Sequence, residues 1–258
     1  MFKSMAAVFC LGFSFLQAGN LPDYDGNCDC MRCHRAVINS TDYFFQEVPK
    51  NVHQIWFGDP TRVNRTKINL WQQFCEEFGY TYKLWSEQDD EELRSFMLPQ
   101  NFELMVEMLA HRNYWGASDI LRYELMKQFG GVYIDCDFLP PSKGKKLIDL
   151  QSILNFHGLT LMTEHCGRNI GTDTALFAAN GFIVSCPSHP VINSAVEQIY
   201  DNTKYWQQMR GIDGGCSDAV FCTGPFFLNK VLNGCFNIVP CTYLESYCMD
   251  DTKPEHFR

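Results

Sequence analysis

The sequence predicts an α/β domain, a mostly parallel central sheet flanked by helices, carrying a Cys-rich N-terminal extension. Three observations predict it. From Asn51 onward, short apolar runs of strand character alternate with segments of helical period, and strand–helix–strand alternation builds a parallel sheet. Within that alternation, Ala117–Pro141 joins a helix, a Gly-Gly stop and a strand without any intervening loop. The third is cysteine: there are 13 in 258 residues, Cys10 in an N-terminal apolar segment and an even 12 after it (13 − 1).

Residues 1–18 read as a targeting segment. Lys3 is its charged start, Met5 to Leu16 is apolar, and Leu16-Gln17-Ala18 ends it on small or neutral residues. The apolar part falls short of the roughly 20 residues that a membrane span needs. A cleaved signal peptide is the first reading. An uncleaved signal anchor, which would tie the chain to a membrane, is the second. Either directs the domain to the ER/Golgi lumen or outside the cell, where an even cysteine count predicts disulfides and leaves their connectivity open. Asn39 before Ser40-Thr41 and Asn64 before Arg65-Thr66 are N-glycosylation acceptors that suit the same compartment.

Residues 19–46 form the extension, with Cys28-Asp29-Cys30-Met31-Arg32-Cys33-His34 at its centre. Zinc sites usually pair two separated knuckles, and no second knuckle of that kind is visible. A disulfide staple is the preferred reading over a metal.

Residues 47–258 hold the domain, enough chain for one substantial core. Asn51 to Phe57 reads as the first strand, with Ile55 and Trp56 near its end and Gly58-Asp59-Pro60 as its turn. Ligands of open α/β sheets bind outside the carboxyl ends of the strands, so Trp56 stands where a nucleotide base could stack or where a core Trp could pack. Ile68 to Phe78 reads as a helix with Leu70, Trp71, Phe74 and Phe78 apolar, ended by Gly79. Tyr80 to Trp85 is the second strand, and the acidic run Glu87 to Glu92 is a solvated helix start. Asn101 to Leu109 is amphipathic. Beyond Pro141, Lys146 to Leu154 reads as a short helix, Leu159 to Thr163 and Thr174 to Ala178 as strands, and Val191 to Tyr200 as a helix. Gly211 to Gly215 is a Gly-rich loop without the Gly-Lys-Ser/Thr of a phosphate loop.

The stretch around which the rest is arranged is Ala117–Pro141. Leu121, Leu125 and Phe129 fall four apart on one helical stripe, and Asp119 and Arg122 share its edge. Gly130 supplies the stop. In the strand that follows, Val132, Ile134, Cys136 and Phe138 are predicted to point one way and Tyr133, Asp135 and Asp137 the other, until Pro140 and Pro141 end it. Two carboxylates on one side repel each other, a cost that a divalent cation removes. Their hard oxygens suit Mn or Mg, whose open positions substrate phosphates fill. An always charged, planar Arg122 suits phosphate or sugar oxygens.

Ala117-Ser118-Asp119-Ile120-Leu121-Arg122-Tyr123 followed by Gly130-Gly131-Val132-Tyr133-Ile134-Asp135-Cys136-Asp137 resembles the core of glycosyltransferase family 32. That family holds fungal initiating α-1,6-mannosyltransferases and inositol-phosphoceramide mannosyltransferases, with the clostridial glucosylating toxins as distant relatives. Pro49 to Gly58 and Thr223-Gly224-Pro225 extend the resemblance, which runs from about Val48 to about Val239.

The resemblance implies a GT-A-like single domain and retaining transfer of a hexose, mannose first. The hexose would pass from a nucleotide diphosphate sugar to a glycan or glycolipid acceptor. It implies Mn2+ or Mg2+ held by Asp137 with Asp135, ribose contact from Asp135, sugar hydroxyls on Asp119, and sugar or phosphate on Arg122. Trp56 and Ile55 would lie at the donor base. Tyr133 would face the donor, and so would Asn180, whose Asn180-Gly181 pair also has the composition of a turn. Family members continue into a His/Trp-rich C-terminal segment. Here Tyr243 to Tyr247 and Glu255-His256-Phe257 stand in its place, so Glu255 or His256 would complete the metal site. That departure feeds the alternative, a catalytically impaired sugar- or nucleotide-binding protein on the same scaffold.

The rivals are weaker. A net charge of −9 argues against nucleic acid as partner. A phosphotransferase of the haloacid dehalogenase kind wants Thr or Val where Leu139 stands. An EF-hand loop wants Gly and Glu where Pro140 and Lys146 stand. A paired-carboxylate glycosidase leaves Arg122 and Trp56 unexplained.

Overall fold

Asn51–Ile55 forms β1, with every residue after Asn51 buried. It belongs to a computed structural model that describes residues 47–140, 159–163, 178–210, 219–232 and 237–239. The targeting segment, the Cys-rich extension, Lys146 to Leu154, most of Thr174 to Ala178, the Gly211 to Gly215 loop and the tail with Glu255 and His256 lie outside the described residues.

After β1 come α1 (Arg65–Phe78), β2 (Thr81–Trp85), a 3-10 turn (Glu87–Asp89), α2 (Asp90–Phe96) and α3 (Pro99–Ala110). The central pair is α4 (Tyr114–Gln128) and β3 (Gly131–Ile134). Then follow β4 (Leu159–Thr163), β5 (Ala178–Ser185), α5 (Pro190–Arg210), α6 (Ala219–Cys222), α7 (Pro225–Leu232) and β6 (Asn237–Val239). The sheet runs β2-β1-β3-β5-β4-β6. β1 pairs parallel with β2 and β3, and β4 parallel with β6, whereas β5 runs antiparallel to both β3 and β4. The sheet is therefore mixed, with helices on both faces.

Two cores divide at the sheet. On one face α1 packs Trp71, Phe74 and Cys75 against Val52, Val132, Ile134, Phe182 and Val184. On the other, α3, α4, α5 and α7 enclose Tyr133, Leu161 and Ile183. The alternation expected of β3 thus holds for Val132, Tyr133 and Ile134. α1 is a surface helix, capped by Asn64, whose side chain accepts from Lys67 N at 3.1 Å, and closed by Gly79. Leu70, expected on its apolar face, is 39% exposed.

α4 departs from its expected single stripe. Every residue from Asp119 to Met126 is buried, because the helix lies between the sheet and its helical neighbours. It closes at Phe129, and the chain reverses through Gly130 and Gly131 at φ 59° and 93°. Both glycines are required. A Cβ on Gly131 would stand 2.5 Å from the Asn51 carbonyl oxygen, and one on Gly130 2.7 Å from that of Ser185.

The strand is shorter than the sequence predicts, which corrects the expected pairing of Asp135 and Asp137 on one strand face. β3 ends at Ile134, opposite Phe182. Asp135 N donates once more, to Gly181 O at 2.9 Å, and Phe138 N then turns back to Asp135 O at 3.2 Å. Asp135 keeps the Tyr133 side, while Asp137 sits in a turn rather than a strand. α1 grips that turn: Lys67 Nζ donates to Asp137 O at 2.7 Å and Trp71 Nε1 to Phe138 O at 3.1 Å.

The disulfide expectation is also modified. Cys222 is disulfide-bonded, but Cys75, Cys136 and Cys186 are free thiols. Among the described residues no helix is long and apolar enough to cross a membrane.

Candidate active site

Arg122 is the centre of the site. It lies on the α4 face that looks toward the ends of β3 and β5, and only 5% of it is exposed. Its guanidinium meets Asp119 Oδ1 at 3.0 Å and Asp135 Oδ1 at 3.4 Å, and donates to Asn180 O at 2.6 Å. It also stacks over the Tyr133 ring, 4.6 Å from the centroid. Burial works against its charge, but Tyr133, Asp135 and Asp119 together hold its pKa above the ordinary arginine value. A buried cation of this kind persists only with such partners.

Asp119 is nearly saturated. Oδ1 takes Arg122 and Asn180 Nδ2 (2.8 Å), and Oδ2 takes the Thr223 hydroxyl at 2.9 Å. A carboxylate offers about four lone-pair sites, so one remains, on Oδ2. Burial pushes this carboxyl up to about 6, with Arg122, Thr223 and Asn180 pulling the other way. Asn180 Nδ2 also reaches Tyr123 OH at 3.1 Å, and Tyr123 OH donates to Thr223 O at 3.0 Å. Asp135 is half-exposed and accepts from Tyr133 OH at 2.6 Å. Two glycines let backbone approach these acids: a Cβ on Gly181 would stand 2.8 Å from Asp135 Oδ2, and one on Gly224 3.2 Å from Asp119 Oδ2.

The neighbouring strand ends are tied to the same place. Gln54 Nε2 donates to Asp135 O at 3.3 Å and Cys136 Sγ to Ile55 O at 3.3 Å. Burial, with Asp135 and Asp137, pushes the Cys136 thiol up to about 12, so it is no nucleophile at neutral pH. Trp56, next after β1, is partly exposed and donates from Nε1 to Asp59 O at 3.0 Å.

The structure therefore brings Asp119, Arg122, Tyr133, Asp135 and Asn180 into one network. It joins Ile55 to the turn that carries Asp137 and leaves Trp56 at the end of β1; His256 lies outside the described residues. Asn180 sits within β5, not in the turn that its Asn-Gly composition also allowed, between the residues that pair with β4 (Ala178, Ala179) and those that pair with β3 (Phe182 onward). Sequence reasoning singled out neither Tyr123 nor Thr223 as site residues. Both stand in quoted motifs, but nothing in the spacing says that Thr223 crosses 104 residues to reach Asp119.

Among the described residues no group of three or more His, Cys, Asp or Glu converges as a metal cage. Mg2+ and Mn2+ need less from a protein: one or two carboxylates, the other positions going to water and substrate phosphates. The half-exposed turn acids Asp137 and Asp135 fit that requirement in number and in donor chemistry.

The fold is that of GT-A-like glycosyltransferase domains, and the chain is similar to them over the stretch that carries the site. The profile of the TcdA/TcdB catalytic glycosyltransferase domain matches residues 88–153, the stretch that carries Asp119, Arg122, Asp135 and Asp137. Over 158 residues the chain is 26% identical to a glycosyltransferase of Acanthamoeba polyphaga mimivirus, covering 59% of this chain and 56% of that one. Over 188 residues it is 24% identical to inositol phosphoceramide mannosyltransferase 1 of Schizosaccharomyces pombe, covering 71% of this chain and 51% of that one. The chain spans about half the length of these curated relatives. Among solved structures, PaToxG glycosyltransferase is similar with a TM-score of 0.50 at 19% identity, covering 72% of this chain and 69% of that one. At that identity the likeness is one of fold.

Proposed function

We propose that this chain is a retaining, metal-dependent glycosyltransferase of the secretory pathway. It moves a hexose, mannose first, from a nucleotide diphosphate sugar to a glycan or glycolipid acceptor. The observation that carries the reading is the buried Arg122 guanidinium bridging Asp119 and Asp135 at the rim of β3, with Asp137 in the turn that follows. The mannosyltransferase relative supports mannose and a glycolipid acceptor.

Breaking the anomeric bond builds positive charge on the sugar and negative charge on the departing diphosphate. Arg122 is a preorganised cation whose orientation is already fixed by Asp119, Asp135, Asn180 and Tyr133, so it stabilises that charge without rearranging during the reaction. Asp119 has one free lone pair, enough to accept one sugar hydroxyl and too few to leave it mobile. Asn180 fixes Asp119 on one side and Thr223 on the other. Trp56 and Ile55 form the base side of the donor pocket, and Tyr133 backs the sugar through Arg122. Asp137 and Asp135 would hold Mn2+ or Mg2+, which when bound supplies charge neutralisation for the diphosphate. No covalent nucleophile is required if the acceptor attacks from the leaving-group face.

The test is a thermal-shift screen of GDP-mannose, UDP-glucose, UDP-galactose and UDP-N-acetylglucosamine with and without Mn2+, followed by NMR of the product anomer. A Mn2+-dependent rise in Tm with one donor and an α product from an α donor are expected. Full turnover in excess chelator would refute the metal role. Absence of both binding and turnover with every donor would refute the transferase itself.

A further inference from the structure

Trp115 is 69% exposed, the most exposed large apolar side chain among the described residues. It lies in the first turn of α4, four residues before Asp119 and seven before Arg122. At 3.6 residues per turn those three positions share one helical face, Trp115 about 6 Å nearer the helix start than Asp119. Because α4 runs into β3 through a tight reversal, the start of α4 stands on the same side as the carboxyl end of β3. That is the side on which the Asp135–Asp137 turn opens. Next to Trp115, the Tyr114 ring packs on Gly58, 3.0 Å from where a Cβ would be, and so ties the helix start to the loop after Trp56. Asn113 caps this turn, its side chain accepting from Gly116 N at 3.0 Å.

An exposed indole, in line with a buried carboxylate, guanidinium and amide, has the two halves of a sugar site. Pyranose rings carry an apolar C–H face that an aromatic ring covers, and hydroxyls that Asp and Asn bind. Asp119 and Arg122 are almost wholly buried, so a ring bound to them lies deep, whereas one on Trp115 lies at the mouth. We infer that Trp115 is the platform of the acceptor subsite, stacking a sugar ring of the acceptor above the donor hexose held at Asp119 and Arg122. This rests on the transferase reading given above.

The experiment measures transfer from the donor that the thermal-shift screen selects to methyl α-mannoside, methyl α-glucoside and methyl α-galactoside, in wild type, Trp115→Ala and Trp115→Phe. With the best glycoside, Trp115→Ala is expected to raise the acceptor KM about tenfold, while kcat at saturating acceptor and the donor KM change less than about twofold. Trp115→Phe should recover most of the loss. An unchanged acceptor KM in Trp115→Ala overturns the subsite and leaves the transferase reading standing, as does a matched fall in kcat for both variants. No transfer to any glycoside by an enzyme that still hydrolyses the donor overturns a sugar acceptor on Trp115. A wild type that neither hydrolyses nor transfers overturns both.

Discussion

α1 and α4 cover opposite faces of the same strand, and they treat charge in opposite ways. α1 buries one apolar side and turns its remaining residues to water; its buried cation, Lys67, is held by a backbone carbonyl. α4 is surrounded by protein and yet carries Asp119, Arg122 and Glu124 into the core. Glu124 is explained by structure alone, since it accepts from Leu98 N and from Asn101, and so joins α4 to α3. Asp119 and Arg122 instead join α4 to the sheet and to the link after α6. Their partners come from β3, β5 and the α6–α7 link, and they converge at the rim of the sheet. Ion pairs buried this deeply contribute little net stability over an apolar pair, so their presence points to chemistry.

The sharpest test of the comparison removes the cation of α4. Arg122→Ala strands Asp119 in the core, and loss of about 3–5 kcal/mol in urea unfolding is expected together with loss of transfer. A variant as stable as wild type would mean that the pair is not buried in solution. Asp137→Ala acts on the turn that α1 grips. Turnover should fall by about 10²–10³, as when one transition-state contact is lost, while stability stays within about 1 kcal/mol; unchanged turnover would remove Asp137 from the mechanism.

Acid tests the α4 side of the sheet in another way. Trp85 Nε1 donates to His53 Nδ1 at 3.1 Å, so His53 is neutral with its proton on Nε2, facing Gly130 O at 3.1 Å. Burial, aided by Lys83, lowers its pKa from 6.5 to about 4. The unfolded chain binds this proton below pH 6.5 and the folded chain only near pH 4, so stability is lost as pH falls through that window. The His53 contribution is on the order of 3 kcal/mol, and a pH series of urea midpoints should show it as the difference in slope between wild type and His53→Asn, since Asp119 titrates in the same window in both. Lys67→Met should cost about 1 kcal/mol, the worth of one hydrogen bond, and lower turnover by loosening the Asp137 turn; an unaffected rate would separate that turn from the site. Smallest of all, Glu92→Ala, which breaks the exposed pair with Lys83, should change stability by less than about 1 kcal/mol.

Much of this was legible in sequence because it is local. Helical period placed Asp119 beside Arg122, glycine marked the reversal at Gly130, and alternation set Tyr133 and Asp135 on one side. The end of β3 was not legible. It is fixed by where β5 stops pairing, and an alternating pattern continues in the sequence after the ladder has ended. The burial of α4 was equally hidden, since a helix with polar residues among apolar ones reads as amphipathic until neighbours cover its second face.

By itself the sequence determined the fold class, the order of elements through β3, and which side chains a helix or a short strand could bring together, since these depend on backbone period and on the few residues that stop it. The tertiary structure alone decided that Asn180 and Thr223 close around Asp119, that Asp137 stands in a turn gripped by α1, and that Arg122 is almost wholly buried. Those facts depend on contacts between residues far apart in the chain, which are set by how the whole sheet and its helices pack.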